Sequence, residues 1–177
     1  MNTTPPAAPL LWTPDGFRDD PWKHADAADA TGNEAVILPL AAFLALDDQT
    51  RAAMQGRLGV VLAPGEPVDA IAPWLDGIAL VALSFLAFND GRSFSKAELL
   101  RRRHGYEGPV RAIGDVLIDQ IPHMLRTGFT EFEVTNPTAL KRLREGRLNG
   151  LPAYYQPTAH PAADAGGYSW RRVPALP

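Results

Sequence analysis

Five short apolar-rich runs recur along this chain, at 35–40, 58–62, 78–85, 110–113 and 129–134, the first three nearly uninterrupted, and each is followed by a stretch with helical spacing. Runs without polar alternation suit strands buried on both faces, the habit of a parallel sheet covered by helices. The intervening stretches predict helices over 41–53 and 68–75, a basic helix from Ser95, another over 117–127 and a last one opened by Asn136. This alternation predicts the α/β class: about five strand–helix units in a mostly parallel open sheet or partial barrel. Five units are too few for a closed eight-stranded barrel of the (β/α)8 kind. With 177 residues, 46% of them apolar, the chain can bury one real core and reads as one domain.

The flanks look different. Residues 1–33 are rich in Pro, Ala, Asp and Gly without a sustained period and predict an irregular N-terminal arm. Residues 34–155 make the α/β domain. Residues 156–177 predict an irregular C-terminal tail, with Tyr168 and Trp170 available to dock onto the body.

Two helices carry clear punctuation. Ser95-Lys96-Ala97-Glu98 matches a capping box, with Phe94 and Leu99 as its hydrophobic staple. Gly105 is the expected stop, and Arg101, Arg102, Arg103 and His104 suit the negative end of that helix. In the last helix Asn136 is the N-cap, Pro137 the first helical residue, Leu140 and Leu143 face inward, and Gly146 is the stop. Pro122 is tolerable only near a helix start, which favours an irregular 117–119 with Asp119 as N-cap.

The chain has no cysteine, which rules out disulfides, thiolate nucleophiles and cysteine-ligated iron–sulfur clusters within it. The net charge of −3 is too mild to imply nucleic acid or a membrane as a bulk partner. The charge is uneven, however. Residues 1–90 carry four basic and twelve acidic side chains, residues 91–177 thirteen and eight. A basic face able to receive an anion or an acidic protein is one reading of that asymmetry, and a solvated surface is the other. No signal-peptide pattern opens the chain, and the longest apolar run, 78–88, falls short of the roughly 20 residues a membrane helix needs. A cytoplasmic protein is expected.

Catalytic sites in parallel α/β proteins lie at the carboxyl ends of the strands. That places Asn89, Asp90 and Arg92 after the third run, Gly114 and Asp115 after the fourth, and Thr135 and Asn136 after the fifth. Arg111 sits inside an otherwise apolar strand, where an unpaired charge is prohibitive, so it needs a partner. Asp90, Asp115 and Asp119 are the expected mates, and a structural ion pair and anion recognition both remain open. Arg92, Arg101 and Arg111, with a helix N-terminus at Ser95, could together hold a small oxyanion, with Asp90 or Asp115 as an acid–base group. No dinucleotide loop, P-loop, zinc-protease or nucleophile-elbow motif is present. His24, His104, His123 and His160 are scattered without metal-ligand spacing, so no metal is expected. No pattern for a bound cofactor is evident, and transient use of a flavin or nicotinamide stays open.

The pattern F-x-D-G-R-x-x-S-x-A-x-L-L-R over 88–101, G-Y-x-G-x-x-R-A-x-G-D-V-x-x-D-Q over 105–120 and R-x-G-F over 126–129, with the Tyr155-Gln156 pair, resembles a bacterial family catalogued as domain of unknown function 934. The resemblance spans about 58–156. It implies a protein encoded beside the sulfite reductase haemoprotein in assimilatory sulfur operons and described, mainly on gene neighbourhood, as an oxidoreductase of sulfite reduction. Many members carry a cysteine where this chain has Thr127, so such a cysteine is not a required redox group. Two functions follow as expectations. The first is an accessory protein of sulfite reduction and cysteine biosynthesis that works with the haemoprotein, docking an acidic donor such as ferredoxin or stabilising the reductase. The second is an enzyme binding sulfite or a related oxyanion in an Arg/Asp pocket. Open sheet edges could be covered in a homodimer.

Overall fold

The computed structural model describes residues 8–26, 33–87 and 90–148. The expected C-terminal tail, with Tyr168 and Trp170, lies outside the described residues, as does Asn89.

The elements run β1 (Leu10–Thr13), β2 (Gly16–Arg18), β3 (Trp22–His24), β4 (Ala35–Pro39), α1 (Leu40–Ala45), α2 (Asp48–Ala53), β5 (Leu58–Leu62), two 3₁₀ segments (Val68–Ala70 and Ala72–Gly77), β6 (Leu80–Phe85), α3 (Arg92–Arg102), β7 (Val110–Gly114), α4 (Ile121–Thr127), β8 (Glu131–Val134) and α5 (Pro137–Arg144). They form one eight-stranded sheet in the order β2-β1-β8-β7-β6-β5-β4-β3. Strands β3 to β8 pair with one another in parallel, whereas β1 runs antiparallel to both β8 and β2. The architecture is therefore a mixed α/β fold with an open, strongly curled half-barrel sheet.

The curl has a covalent cause. β2 and β3 lie at opposite ends of the sheet order, yet only Asp19, Asp20 and Pro21 separate them along the chain. Four Cα steps span at most about 14 Å, so the two ends of the sheet must come near one another. Side chains alternate between the two faces of the curled sheet. The outer face, with Leu38, Val60, Leu62, Val81, Leu83 and Phe132, packs under the helices as the main core. The inner face holds a second, smaller apolar cluster of Ile37, Leu80 and Ala82, joined by Trp22, Val61 and Ile113. Beside Ala82 in the register come Arg111 and then Glu131, so the same face becomes charged along β7 and β8.

Several expectations change. The irregular arm instead supplies β1, β2 and β3, because Leu10, Leu11 and Trp12 find their partner strand in β8 at the far end of the domain. The predicted helix over 41–53 breaks in two: Leu46 is extended, and Asp47 caps α2 by accepting from the Thr50 N–H (2.8 Å) and the Thr50 hydroxyl (2.9 Å). The stretch over 68–75 forms 3₁₀ turns, consistent with Pro73 lacking the N–H that an α-helix would use. α3 starts at Arg92, not Ser95, so Ser95 is an exposed helical residue and there is no capping box. Gly91 is the N-cap, and Asp90 just before it accepts from the Arg92 N–H at 3.3 Å. Phe94 packs against Phe85, Phe129 and His123 instead of stapling to Leu99. Gln120, not Asp119, precedes α4, and Pro122 does fall in its first turn. α5 forms as expected, with Asn136 Oδ1 accepting from Thr138 and Ala139.

Candidate functional site

The strongest concentration of chemistry lies on the inner face. Arg111 comes from the second position of β7, Glu131 and Glu133 from alternate positions of β8, Asp20 from the link between β2 and β3, and His24 from the end of β3. The Arg111 side chain is 1% exposed. Nε donates to Glu131 Oε2 at 2.9 Å, Nη1 to Asp20 Oδ2 at 2.8 Å and Glu133 Oε1 at 3.0 Å, and Nη2 to Asp20 Oδ1 at 3.0 Å. Nη2 also lies 2.8 Å from Glu131 Oε2. All five guanidinium donors are thereby occupied by three carboxylates.

His24 completes the cluster, with Nε2 2.8 Å from Glu133 Oε1 and 3.1 Å from Oε2. The hydrogen bond to Glu133 raises the His24 pKa above its ordinary 6.5, against the opposing effect of burial. Burial alone would raise Glu133, but His24 and Arg111 together bring its pKa below the ordinary 4.5. Burial would weaken the proton on Arg111, and Asp20 and Glu131 more than reverse it. Three carboxylates against one arginine favour a charged His24, and His24 is the one member with a substantially exposed ring, at 45%.

The carboxyl ends of β5, β6 and β7 carry a second group. Asp90 accepts from Arg92 Nε at 2.9 Å and Nη2 at 2.7 Å, and this bond from Arg92 holds the Asp90 carboxyl at about 2. Ser93 Oγ is buried and donates to Ser84 O at 2.7 Å. Lys96, on the next turn of α3, is 7% exposed, and its ammonium donates to the backbone carbonyl of Ala63. Burial lowers the Lys96 pKa, with Arg92 adding to the effect and Glu66 and Asp90 opposing it. Gly114 ends β7 opposite Phe85 of β6. It sits at φ +89°, and a Cβ there would come within 2.4 Å of Phe85 O. Asp115 is exposed, and its N–H donates to that same carbonyl at 2.8 Å.

The structure thus disperses the expected oxyanion set. Arg111 faces the half-barrel interior and meets Asp20, Glu131 and Glu133, not Asp90, Asp115 or Asp119. Arg92 sits at the carboxyl end of β6, bound to Asp90. Arg101 is nine residues further along α3, about 14 Å at 1.5 Å per residue. There it ties the amino ends of β7 and β8 together, donating to the carbonyls of Tyr106 (2.6 Å), Gly108 (2.7 Å) and Gly128 (2.9 and 3.0 Å). Asp20, His24, Glu131 and Glu133 escaped the sequence reading. One signal was present: Glu131 and Glu133 stand two apart in an apolar strand and therefore share a face. Among the described residues no group of three or more His, Asp or Glu side chains is placed to hold a metal ion. Nor is any helix among them long and apolar enough to cross a membrane.

Fold and site together define a mixed α/β protein whose half-barrel sheet carries an arginine–carboxylate–histidine cluster inside and a buried lysine at the strand ends. The chain belongs to the family described as bacterial protein of unknown function (DUF934), which it matches over residues 59–164. No curated protein matches it.

Proposed function

We propose that this protein is an accessory factor of assimilatory sulfite reduction that docks with the sulfite reductase haemoprotein. In this role it supports electron delivery from an acidic donor such as ferredoxin, or the stability of the reductase, and carries no electrons itself. The observation that carries the reading is the fate of Arg111. The arginine best suited to bind an oxyanion has every donor filled by Asp20, Glu131 and Glu133, which leaves it no valence for sulfite. Exposed cations remain elsewhere, at Arg102 and Arg103 closing α3 and at Lys141 and Arg142 on α5. Surface charge of that kind steers association with an acidic partner more than it adds affinity. The sulfur-operon setting implied by family resemblance is what points this reading towards the haemoprotein.

A second reading, an enzyme acting on sulfite or a related oxyanion, is favoured by Lys96, a buried ammonium at the carboxyl ends of the strands with Asp90 and Arg92 nearby. The test is sulfite turnover with reduced ferredoxin, using this protein alone, the cognate reductase alone and the two mixed. Stimulation confined to the mixture, and reduced by Lys141→Glu with Arg142→Glu, supports docking. Turnover by this protein alone, abolished by Lys96→Met, replaces docking with catalysis.

A further inference from the structure

A cavity of ≈310 Å³ lies away from both charged groups, beneath α2 and the 3₁₀ segment Ala72–Gly77, at the amino ends of β5 and β6. Its walls include Phe43, Leu58, Trp74 and Ile78, with Arg51 among them. The size falls in the range of small-molecule sites, and the lining has their usual character of apolar surface with a few polar groups. Phe43 and Trp74 meet edge to face at 5.8 Å. The Arg51 guanidinium lies over the Trp74 ring at 4.7 Å and over Phe43 at 5.7 Å, an arrangement that fixes its plane.

Arg51 is incompletely used. Nη1 donates to Phe43 O at 3.1 Å and Nη2 to Asp48 Oδ1 at 2.8 Å, while Nε is buried and has no hydrogen-bond partner. Nε–H and one Nη2–H point the same way and form the edge that accepts a carboxylate through two parallel bonds. Asp48 takes a single bond from Nη2 and leaves Nε unused. The Asp48 side chain is 90% exposed, against 13% for Arg51, so it can swing away at little cost. A buried guanidinium with one donor unsatisfied is unfavourable, and a ligand carboxylate that supplies both bonds would relieve it.

We propose that this cavity is a binding site for a small planar aromatic carboxylate, whose ring lies among Phe43, Trp74 and Leu58 and whose carboxylate replaces Asp48 on Nη2 and also takes the unused Nε of Arg51. Its place at the amino ends of the strands, away from where parallel α/β folds keep their chemistry, makes it a binding site without catalysis. The inference stands independently of the docking role.

Calorimetry on the full chain tests it, with 2-naphthoate as the probe and 2-naphthylmethylammonium as its cationic counterpart. The counterpart matters because two acids, Asp48 and Asp76, stand at the cavity and would attract a cation. Saturable 2-naphthoate binding is expected, and Asp48→Asn should tighten it about two- to fivefold by removing a competing exposed ion pair. Arg51→Met should abolish it. Should Arg51→Met fail to fold, Asp48→Asn still decides, because its substitution touches only an exposed helix start. No 2-naphthoate binding by either the native protein or Asp48→Asn would overturn the proposal. So would preference for the ammonium probe, unchanged or weaker binding by Asp48→Asn, or undiminished binding by a folded Arg51→Met.

Discussion

Arg111 shows how one residue can be both the most suspicious in a sequence and the least available in a structure. Its charge is offset only because Asp20, Glu131 and Glu133 converge on it, and such a group is costly to break singly. Arg111→Met should leave three carboxylates without their cation and cost about 3–5 kcal/mol, a large share of a domain's usual margin of about 5–15 kcal/mol. Urea unfolding measures this, and a loss below about 1 kcal/mol would mean the cluster is solvated in a way its burial does not suggest. The pH dependence follows from the same residues. His24 has a raised pKa, so its contribution is fully present below its ordinary 6.5 and is lost as pH rises through the higher folded value. Glu133 has a lowered pKa, so its contribution is present above 4.5 and is lost as pH falls through the lower folded value. Stability from this pair should therefore form a plateau between pH 4.5 and 6.5 and decline on both sides. His24→Gln should remove the decline above pH 6.5 and also weaken the acid-side decline, because His24 is one of the two groups that lower Glu133. The effect is modest, because the ring is nearly half exposed and screened by water. Equal alkaline slopes for the two proteins would show that His24 is uncoupled from Glu133.

At the scale of elements, α2 exists because of one residue that periodicity alone does not reveal. Asp47 ends the run from Leu40 by offering its carboxylate to Thr50, and it thereby starts a short helix with no buried residue of its own. Asp47→Ala should lower stability, read by thermal or urea unfolding, and a neutral result would mean that packing of Arg51 suffices to hold the helix. The same element shows why the sequence was legible in some places and not in others. β5 and β6 could be read from their residues because burial on both faces leaves an unbroken apolar run. α5 could be read because Asn136 and Pro137 act within a few residues of themselves. α3 misled because Ser95 and Glu98 carry the right local chemistry, while Ser93 found a stronger use in bonding Ser84 across the core. The N-terminal strands were illegible because their stabilising partners are remote. Arg111 announced a need for partners, but Asp20 stands 91 residues away and Glu133 22, beyond any local pattern.

At the scale of the whole molecule, two devices bring the sheet ends together, and they can be separated. One is the three-residue link of Asp19, Asp20 and Pro21, which limits how far β2 and β3 can part. The other is a pair of contacts reaching across the concave face, Asp20 to Arg111 and His24 to Glu133, both at 2.8 Å. If chain length alone enforced the curl, slack in the link would release it. If the cross-barrel contacts enforce it, slack should cost little more than loop entropy. Four Gly or Ser residues inserted between Arg18 and Asp19 leave Asp20 adjoining Pro21 and Trp22, where its Oδ1 also accepts from the Trp22 N–H. Lengthening the link from three residues to seven should cost about 0.7 kcal/mol by loop-closure scaling. The cross-barrel contacts account for the curl more fully, because Asp20 is held from both sides and Arg111 cannot lose it without exposing a buried charge. The expected outcome is a loss near the entropic figure in urea unfolding, with the pH plateau of His24 and Glu133 intact. A loss several times larger, together with disappearance of that plateau, would assign the curl to the tether instead.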